Sequence, residues 1–546
     1  MKKLFVSLAM LSAVISCNKE AVQEEQEQPA GNKQIITATV NTPTKVAYSE
    51  VTPDGGAGLK SVWQEGDKFY AIQDGAKVVT FTIASGVGET TATFTAETTD
   101  ATADTQWKAV LGGKADAYSS EVHCGYMKQN GTIDNLSGYN YVISEAKGKT
   151  PEFNFATGST KLSYTLRIKL PAGIKCIEYT PCAYHKITSS EESIIYLNAA
   201  DGEGSNEYGP SKTSTITLDH NSTKGEIIYI ALPAIDFSTT LQTWNGNQNG
   251  NLRTGIVVTL LNNTSNDANL STGWVYGAHR EGGDLTAKGG MINTLDMSEA
   301  KLIRRATPAE AIEIATSDVS CTLHASLTQA ATSMTTYWAP FNLGASKISE
   351  AGLYIAFGEY WDNKSYSWGS YQQRHRPNGS NFYEDYMTPT TKAIGAGQNN
   401  YYSIAGSRFD AARVLWGSAW RMPHAVEIYG MSTKGTETFT TEDGVNCATF
   451  TVNGNTVKFP DSGYYMRDKD QDSGEIQHKD VGYAYIRSAD KIQRTQTSKN
   501  TVYRECYSYW MGVTASAESS YPRAFARSLG FRGYPVRAVL AKSTIN

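Results

Sequence analysis

The first three hundred or so residues are dominated by short runs in which apolar and polar residues alternate, broken every few positions by glycine, proline, asparagine or aspartate. A period of two sends successive side chains to opposite sides of a pleated strand. Such a run therefore buries one face and must pair with neighbours at both edges. Ile35 to Val40, Val78 to Ile83 and Ala92 to Ala96 are β-branched and period-two, and Leu162 to Leu170 alternates cleanly up to Pro171. Gly225 to Pro233 and Gly255 to Leu261 continue the pattern, and no amphipathic helical period interrupts it. Many short strands with frequent turns predict sandwiches, two in series for this length. Residues 33–300 are read as this β region. Its Trp63, ahead of Gly66-Asp67, is expected to plug a strand end from inside the core.

The texture then changes. Residues 301–317 carry Arg304-Arg305 and then Pro308 to Ala315, which reads as a solvated linker with one or two helical turns, a protease site at the dibasic pair being the alternative. From Asp318 the pattern is mixed. Asp410 to Trp416 is expected to be a short helix, with Asp410 as its cap and Gly417 as its stop. A second helix should run from His424, after Pro423, to about Met431. Arg421 is expected to hold its loop by bonds to carbonyls or to a carboxylate such as Glu427. At 546 residues the chain exceeds one hydrophobic core. Its 32 tyrosines and 48 glycines favour β structure. A net charge of −5 without a basic stripe argues against nucleic acid as a partner.

The N-terminus reads as an address. Lys2 and Lys3 precede an apolar stretch, Leu4 to Ala13, that is too short to span a bilayer. Val14-Ile15-Ser16-Cys17 resembles the bacterial lipobox, so residues 1–17 are expected to be a lipoprotein signal, with Cys17 the lipidated residue. Residues 18–32, rich in Glu and Gln, cannot offset their ordering entropy and should form an acidic tether. The membrane would then be met through the lipid alone. The tether also resembles the acidic segment that sends lipoproteins of Bacteroides-type bacteria to the outer face of their outer membrane, which implies a cell-surface location, a spacer with no sorting role being the alternative.

Two family resemblances follow from particular residues. Trp63-Gln64-Glu65-Gly66-Asp67, Tyr141 to Ser144, the Leu162–Pro171 and Tyr229–Pro233 strands and Lys288 to Leu295 together resemble the fimbrillin family of Bacteroides-type bacteria. That likeness implies tandem transthyretin-like sandwiches used in pili or surface adhesins. Tyr337 to Ala345, Gly352 to Glu359, Trp416 to Pro423, Phe459 to Tyr464 and Gly530 to Arg537 resemble the Fibrobacter succinogenes major paralogous domain, over residues 318–541. The Trp420-Arg421-Met422-Pro423 block, with Glu427, is also similar to the formylglycine-generating enzyme family. This second likeness implies a C-type-lectin-like fold. The expected fold class is thus mainly β with an α+β C-terminal domain.

No nucleophile elbow, zinc-binding His pair, phosphate loop or dinucleotide fingerprint is present, so no catalytic residue and no cofactor is assigned. Asp468, Asp470 and Asp472 space their oxygens as a calcium loop does, but Lys479 stands where the closing glutamate belongs; the run reads as a solvated loop, with calcium left open. Between Tyr354 and Tyr402 aromatic rings alternate with Arg, Asn and Gly, a composition suited to docking sugar rings or peptide backbones. Trp361, Tyr366 and Arg374 are the expected exposed ligand-binding residues, whereas Phe357, Trp368 and Tyr371 are expected in the core. The expected function is adhesion, at a fibre tip or alone, with a glycan or a host or bacterial surface protein as partner and other fimbrial subunits as further partners. A structural pilus component and an enzyme with a cryptic site are the alternatives.

Overall fold

The computed structural model describes residues 34–41, 49–50, 59–60, 62–98, 100–115, 120–155, 159–181, 183–196, 213–236, 256–276, 286–287, 289–324, 327–362, 365–367, 371, 374–375, 384–385, 401–467, 475–496, 501–520, 523–528 and 530–545. Cys17, the acidic tether, Trp368 and Asp468 to Gly474 lie outside them. Mainly β structure is what these residues form.

The first unit is built on an eight-stranded sheet. Its strands run in the order Glu152–Asn154, Gln34–Asn41, Thr91–Thr98, Lys77–Ser85, Lys68–Gln73, Gln106–Leu111, Val142–Lys147, Thr160–Lys161. The apolar set of each alternation meets in one core, where Trp63, Phe69, Phe81, Phe94, Phe153 and Phe155 pack together. Trp63 is fully buried and stands edge-on to Phe94, 4.9 Å between centroids. It is positioned by the turn after it, in which the Asp67 carboxylate accepts the Gln64 N–H at 2.8 Å.

The second unit is a sandwich. A three-stranded sheet (Ile227–Pro233, Ser163–Lys169, Ile292–Asp296) faces a five-stranded one (Ser214–Thr217, Cys176–Thr180, Ile256–Leu261, Leu270–Tyr276, Ile303–Arg304). Leu166, Ile168, Ile177, Ile230, Val258 and Leu260 fill the space between them. Ile256–Leu261 is buried at every position, not at alternate ones, because both of its faces are covered.

The C-terminal unit opens with a long hairpin, Ile312–His324 with Leu327–Trp338. Its second strand also pairs with Val539–Leu540 and Thr544–Ile545, so the end of the described chain closes on the beginning of this unit. A four-stranded sheet (Tyr401–Ser403, Tyr483–Gln496, Thr501–Gly512, Ala524–Ser528) and a meander (Thr436–Glu442, Val445–Val452, Asn455–Pro460) complete the framework. Helix α1 is Ala411–Trp416, with Asp410 accepting the N–H groups of Ala412 and Arg413 and Gly417 ending it. Helix α2 is Ala425–Lys434, opened by a reciprocal His424–Glu427 capping box.

The stretch 301–317 is not a solvated linker. Ile303–Arg304 is a strand of the second sandwich, paired with Leu270 and Ser271. Pro308–Glu310 makes only a single 3-10 turn, closed by Thr307 and Glu310, and the next strand begins at Ile312. Nor is the dibasic pair exposed: Arg305 is fully buried, and Arg304 is bonded to Glu310 at 2.7 Å. The backbone here finds a sheet edge and a buried set of acceptors, and these outweigh the local preference for a loop.

Candidate functional site

Helix α1 belongs to the C-terminal unit by sequence, but it lies on the outer face of the second sandwich. Being short, it leaves its last carbonyls without intrahelical partners. The sandwich supplies them. Thr259 Oγ1 donates to the Val414 carbonyl at 2.9 Å, and Arg305 Nε donates to the Trp416 carbonyl at 2.6 Å. The same guanidinium also reaches the Ala268 and Ser265 carbonyls at 2.7 and 2.6 Å. Burial pushes its pKa down to about 10, still charged at neutral pH, with Glu178 nearby pulling the other way. Glu178 in turn accepts the Ser418 N–H at 2.7 Å and the Ser265 hydroxyl at 2.5 Å. Arg413, also buried, donates to Thr180 and Thr213. The approach is so close that a Cβ on Gly273 would stand 1.8 Å from the Val414 carbonyl oxygen.

This joint gathers aromatic rings from both sides. Tyr360 packs against Val257, Val275 and Val414, and burial pushes its phenol up to about 12. Its ring lies 6.3 Å from Trp274, at 72°. Trp274 is 45% exposed and Trp361, the next residue after Tyr360, is 39% exposed, whereas Trp63, Trp107, Trp338, Trp416 and Trp420 are all inside. Trp274 thus stands at the surface against the partly buried Tyr360 ring, and the exposed Trp361 follows Tyr360 in the chain, so each unit contributes one indole. Large flat apolar faces left in water beside a polar protein surface are suited to ligand rings or extended peptide.

Of the residues expected to bind, Trp361 is exposed and Tyr366 is not. Tyr366 is only 4% exposed, its ring stacks on Tyr465 at 5.4 Å, and its hydroxyl donates to the Tyr354 carbonyl and to the Asp362 carboxylate. The expectation of an exposed Tyr366 is corrected: a downstream hairpin, Tyr464–Arg467 with Ile476–Lys479, covers it. Arg374 lies on a strand, Arg374–His375, paired with Glu384–Asp385; its side chain lies outside the described set. Phe357 and Tyr371 are interior, and the Tyr371 hydroxyl donates to the Phe357 carbonyl at 2.7 Å. Sequence reasoning missed Trp274, Glu178 and Arg305. One signal was available: Gly273 inside a strand pattern marks the close approach of another backbone.

A second polar cluster lies under α2. Arg421 makes a two-pronged pair with Glu427 at 2.7 and 2.8 Å, and Glu427 also accepts the His424 N–H. Burial alone would raise the Glu427 carboxyl, but the Arg421 charge overrides it and holds the group below the usual carboxylate range. His424 Nδ1 meets Asp490 at 2.9 Å and the Ser403 hydroxyl at 3.4 Å. A proton relay needs the carboxylate and the nucleophile on opposite ring nitrogens. Here both face the same one, so the cluster caps and cross-braces the helix. Among the described residues no group of three His, Cys, Asp or Glu is placed to hold a metal, and Cys124, Cys176, Cys321 and Cys447 are free and buried. No described helix is long and apolar enough to cross a membrane.

No family model and no curated protein matches the chain. Among solved structures it aligns with a proposed cell adhesion protein of Bacteroides uniformis, at 13% identity and a TM-score of 0.29, covering 51% of this chain and 97% of that one. A proposed cell adhesion protein of Bacteroides ovatus aligns at 8% identity and a TM-score of 0.26, covering 50% and 94%. One from Parabacteroides distasonis aligns at 8% and 0.23, covering 47% and 82%. Likeness at this level carries no argument about what the present chain does.

Proposed function

We propose that this is a surface-displayed adhesion protein, tethered through lipid on Cys17, that binds a glycan or a surface protein at the joint between its second sandwich and its C-terminal unit. The observation that carries the reading is the pair of exposed indoles, Trp274 against the Tyr360 ring and Trp361 next to Tyr360 in the chain, on a joint closed by buried hydrogen bonds. Rigid aromatic faces bind with little loss of their own freedom, and a fixed joint spares the ordering of two domains on binding. Arg374 belongs to the same proposal as a polar neighbour. A fibre-tip or solitary role, rather than that of a repeating shaft unit, belongs to the same proposal.

The test uses the full mature chain on glycan and surface-protein arrays, followed by titration of the best ligand. Trp361→Ala and Trp274→Ala should each weaken binding by roughly 1–3 kcal/mol, the scale of losing an aromatic anchor, while the melting temperature barely moves. Unchanged affinity in both variants would remove the site. Tyr366→Ala should act oppositely, lowering stability more than affinity. For the anchor, radiolabelled palmitate should enter the wild type and not Cys17→Ala, which should leave the membrane fraction. Equal labelling of the two would defeat that part.

A further inference from the structure

On the side of the second sandwich away from α1, an open cleft of about 440 Å³ is lined by Arg167, Lys169, Lys224, Ile227, Asp296 and Ser298. The strand register explains it. Arg167 lies opposite Tyr229 and Thr294, and Lys169 lies opposite Ile227 and Asp296, so all of these share the outer face of the three-stranded sheet. At Tyr229 that face is covered by Tyr126, Leu136 and Leu162 of the first unit. One pair further along, at Lys169 and Ile227, the same cover reaches only the edge of Ile227, and the cleft opens beside it.

Three cations line this cleft against one carboxylate. Arg167 is 5% exposed, and its Nε donates to Thr294 Oγ1 at 3.1 Å, which fixes the guanidinium in the floor. Lys169, about a third exposed, stands 3.6 Å from Asp296, and Lys224 2.5 Å from Glu299, both more than half exposed. Exposed pairs of this kind contribute little and exchange readily for another anion. Asp296 is also engaged elsewhere: its Oδ1 accepts the Ser298 N–H at 3.0 Å and hydroxyl at 2.7 Å.

We infer that this cleft is a second ligand site, distinct from the aromatic joint, and that it takes an acidic sugar residue by its carboxylate or sulfate. The buried guanidinium and two lysines select the anion, since a charge-assisted bond to a fixed Arg is both strong and directional. The size selects what carries it. A water occupies about 30 Å³, so a bare oxyanion would leave most of the cleft unfilled, whereas cavities of this class hold small organic ligands. With Ile227 its one apolar wall, the lining suits hydroxyl groups.

The experiment titrates the full mature chain at low salt with glucuronate, glucose and inorganic sulfate, by calorimetry. Glucuronate should bind at least about tenfold more tightly than glucose and lose that advantage as salt screens the lysines. The double variant Lys169→Gln/Lys224→Gln should lose most of it with an unchanged melting temperature, and Arg167→Lys should abolish it. Should Arg167→Lys misfold, the lysine variant decides alone. Equal binding of glucose and glucuronate, or a lysine variant indistinguishable from wild type, overturns the proposal. Sulfate binding as tightly as glucuronate overturns its sugar component and leaves an inorganic-anion site.

Discussion

Arg305→Ala is expected to destabilise the protein by roughly 3–5 kcal/mol, the range for stripping one member from a buried charged network. Alanine leaves the carbonyls of Trp416, Ala268 and Ser265 without the donor that satisfies them. Each buried acceptor left unpaired costs about 1–3 kcal/mol. Glu178 would also lose a nearby positive charge. Because the guanidinium bonds groups on both sides of the joint, urea unfolding of Arg305→Ala should separate the C-terminal unit from the second sandwich as two transitions. Arg304→Ala is the control. Its ion pair with Glu310 is partly exposed and should contribute no more than about 1 kcal/mol. If the two alanine variants unfold alike, the buried clamp is not what holds the joint.

The second large effect lies under α2. Arg421→Met should destabilise by roughly 3–5 kcal/mol, because it leaves Glu427 buried without its partner. Replacing both residues by methionine should do less harm than Arg421→Met alone, since no uncompensated charge then remains inside. A double variant as unstable as the single would contradict this. The pH dependence follows from the direction of the shift. Glu427 is held below its unfolded value, so its contribution is fully present above the unfolded carboxylate pKa and is lost as pH falls through the folded one. Asp410 runs the other way. Burial raises its carboxyl despite N–H bonds from Gly406, Met422 and Arg413, so its contribution is present below the unfolded value and fades as pH rises through the folded one. The methionine double variant should therefore lose less stability between neutral and acid pH than the wild type, measured by urea midpoint.

What could be read from the residues was whatever is signalled locally. The alternating strands, Asp410 and Gly417 bounding α1, and the Arg421–Glu427 pair all depend on residues within a few positions of each other, and all are present. Trp63 was legible for the same reason, sitting directly before its turn. The joint was not. Arg305 reaches a carbonyl 111 residues away, and a dibasic pair beside a proline carries no trace of that acceptor. Tyr366 failed in the same manner: the ring that covers it, Tyr465, comes from a hairpin about a hundred residues downstream. Aromatic composition says that a loop has many rings but not which of them the rest of the chain will cover. Trp361 and Trp274 differ from the buried tryptophans only in what packs over them.

The seating of α1 on the sandwich also decides where the chain can be cut. Thr259, Arg305 and Glu178 precede the hairpin that opens the C-terminal unit at Ile312, yet they satisfy backbone groups of Val414, Trp416 and Ser418 that follow it. A fragment beginning at Ile312 would expose the underside of α1 to water, with three polar backbone groups and the Tyr360 pocket wall stripped of their complement. The smallest portable piece carrying both exposed indoles therefore includes the second sandwich. Grafting the C-terminal unit onto another stem would transfer one indole and leave the other behind.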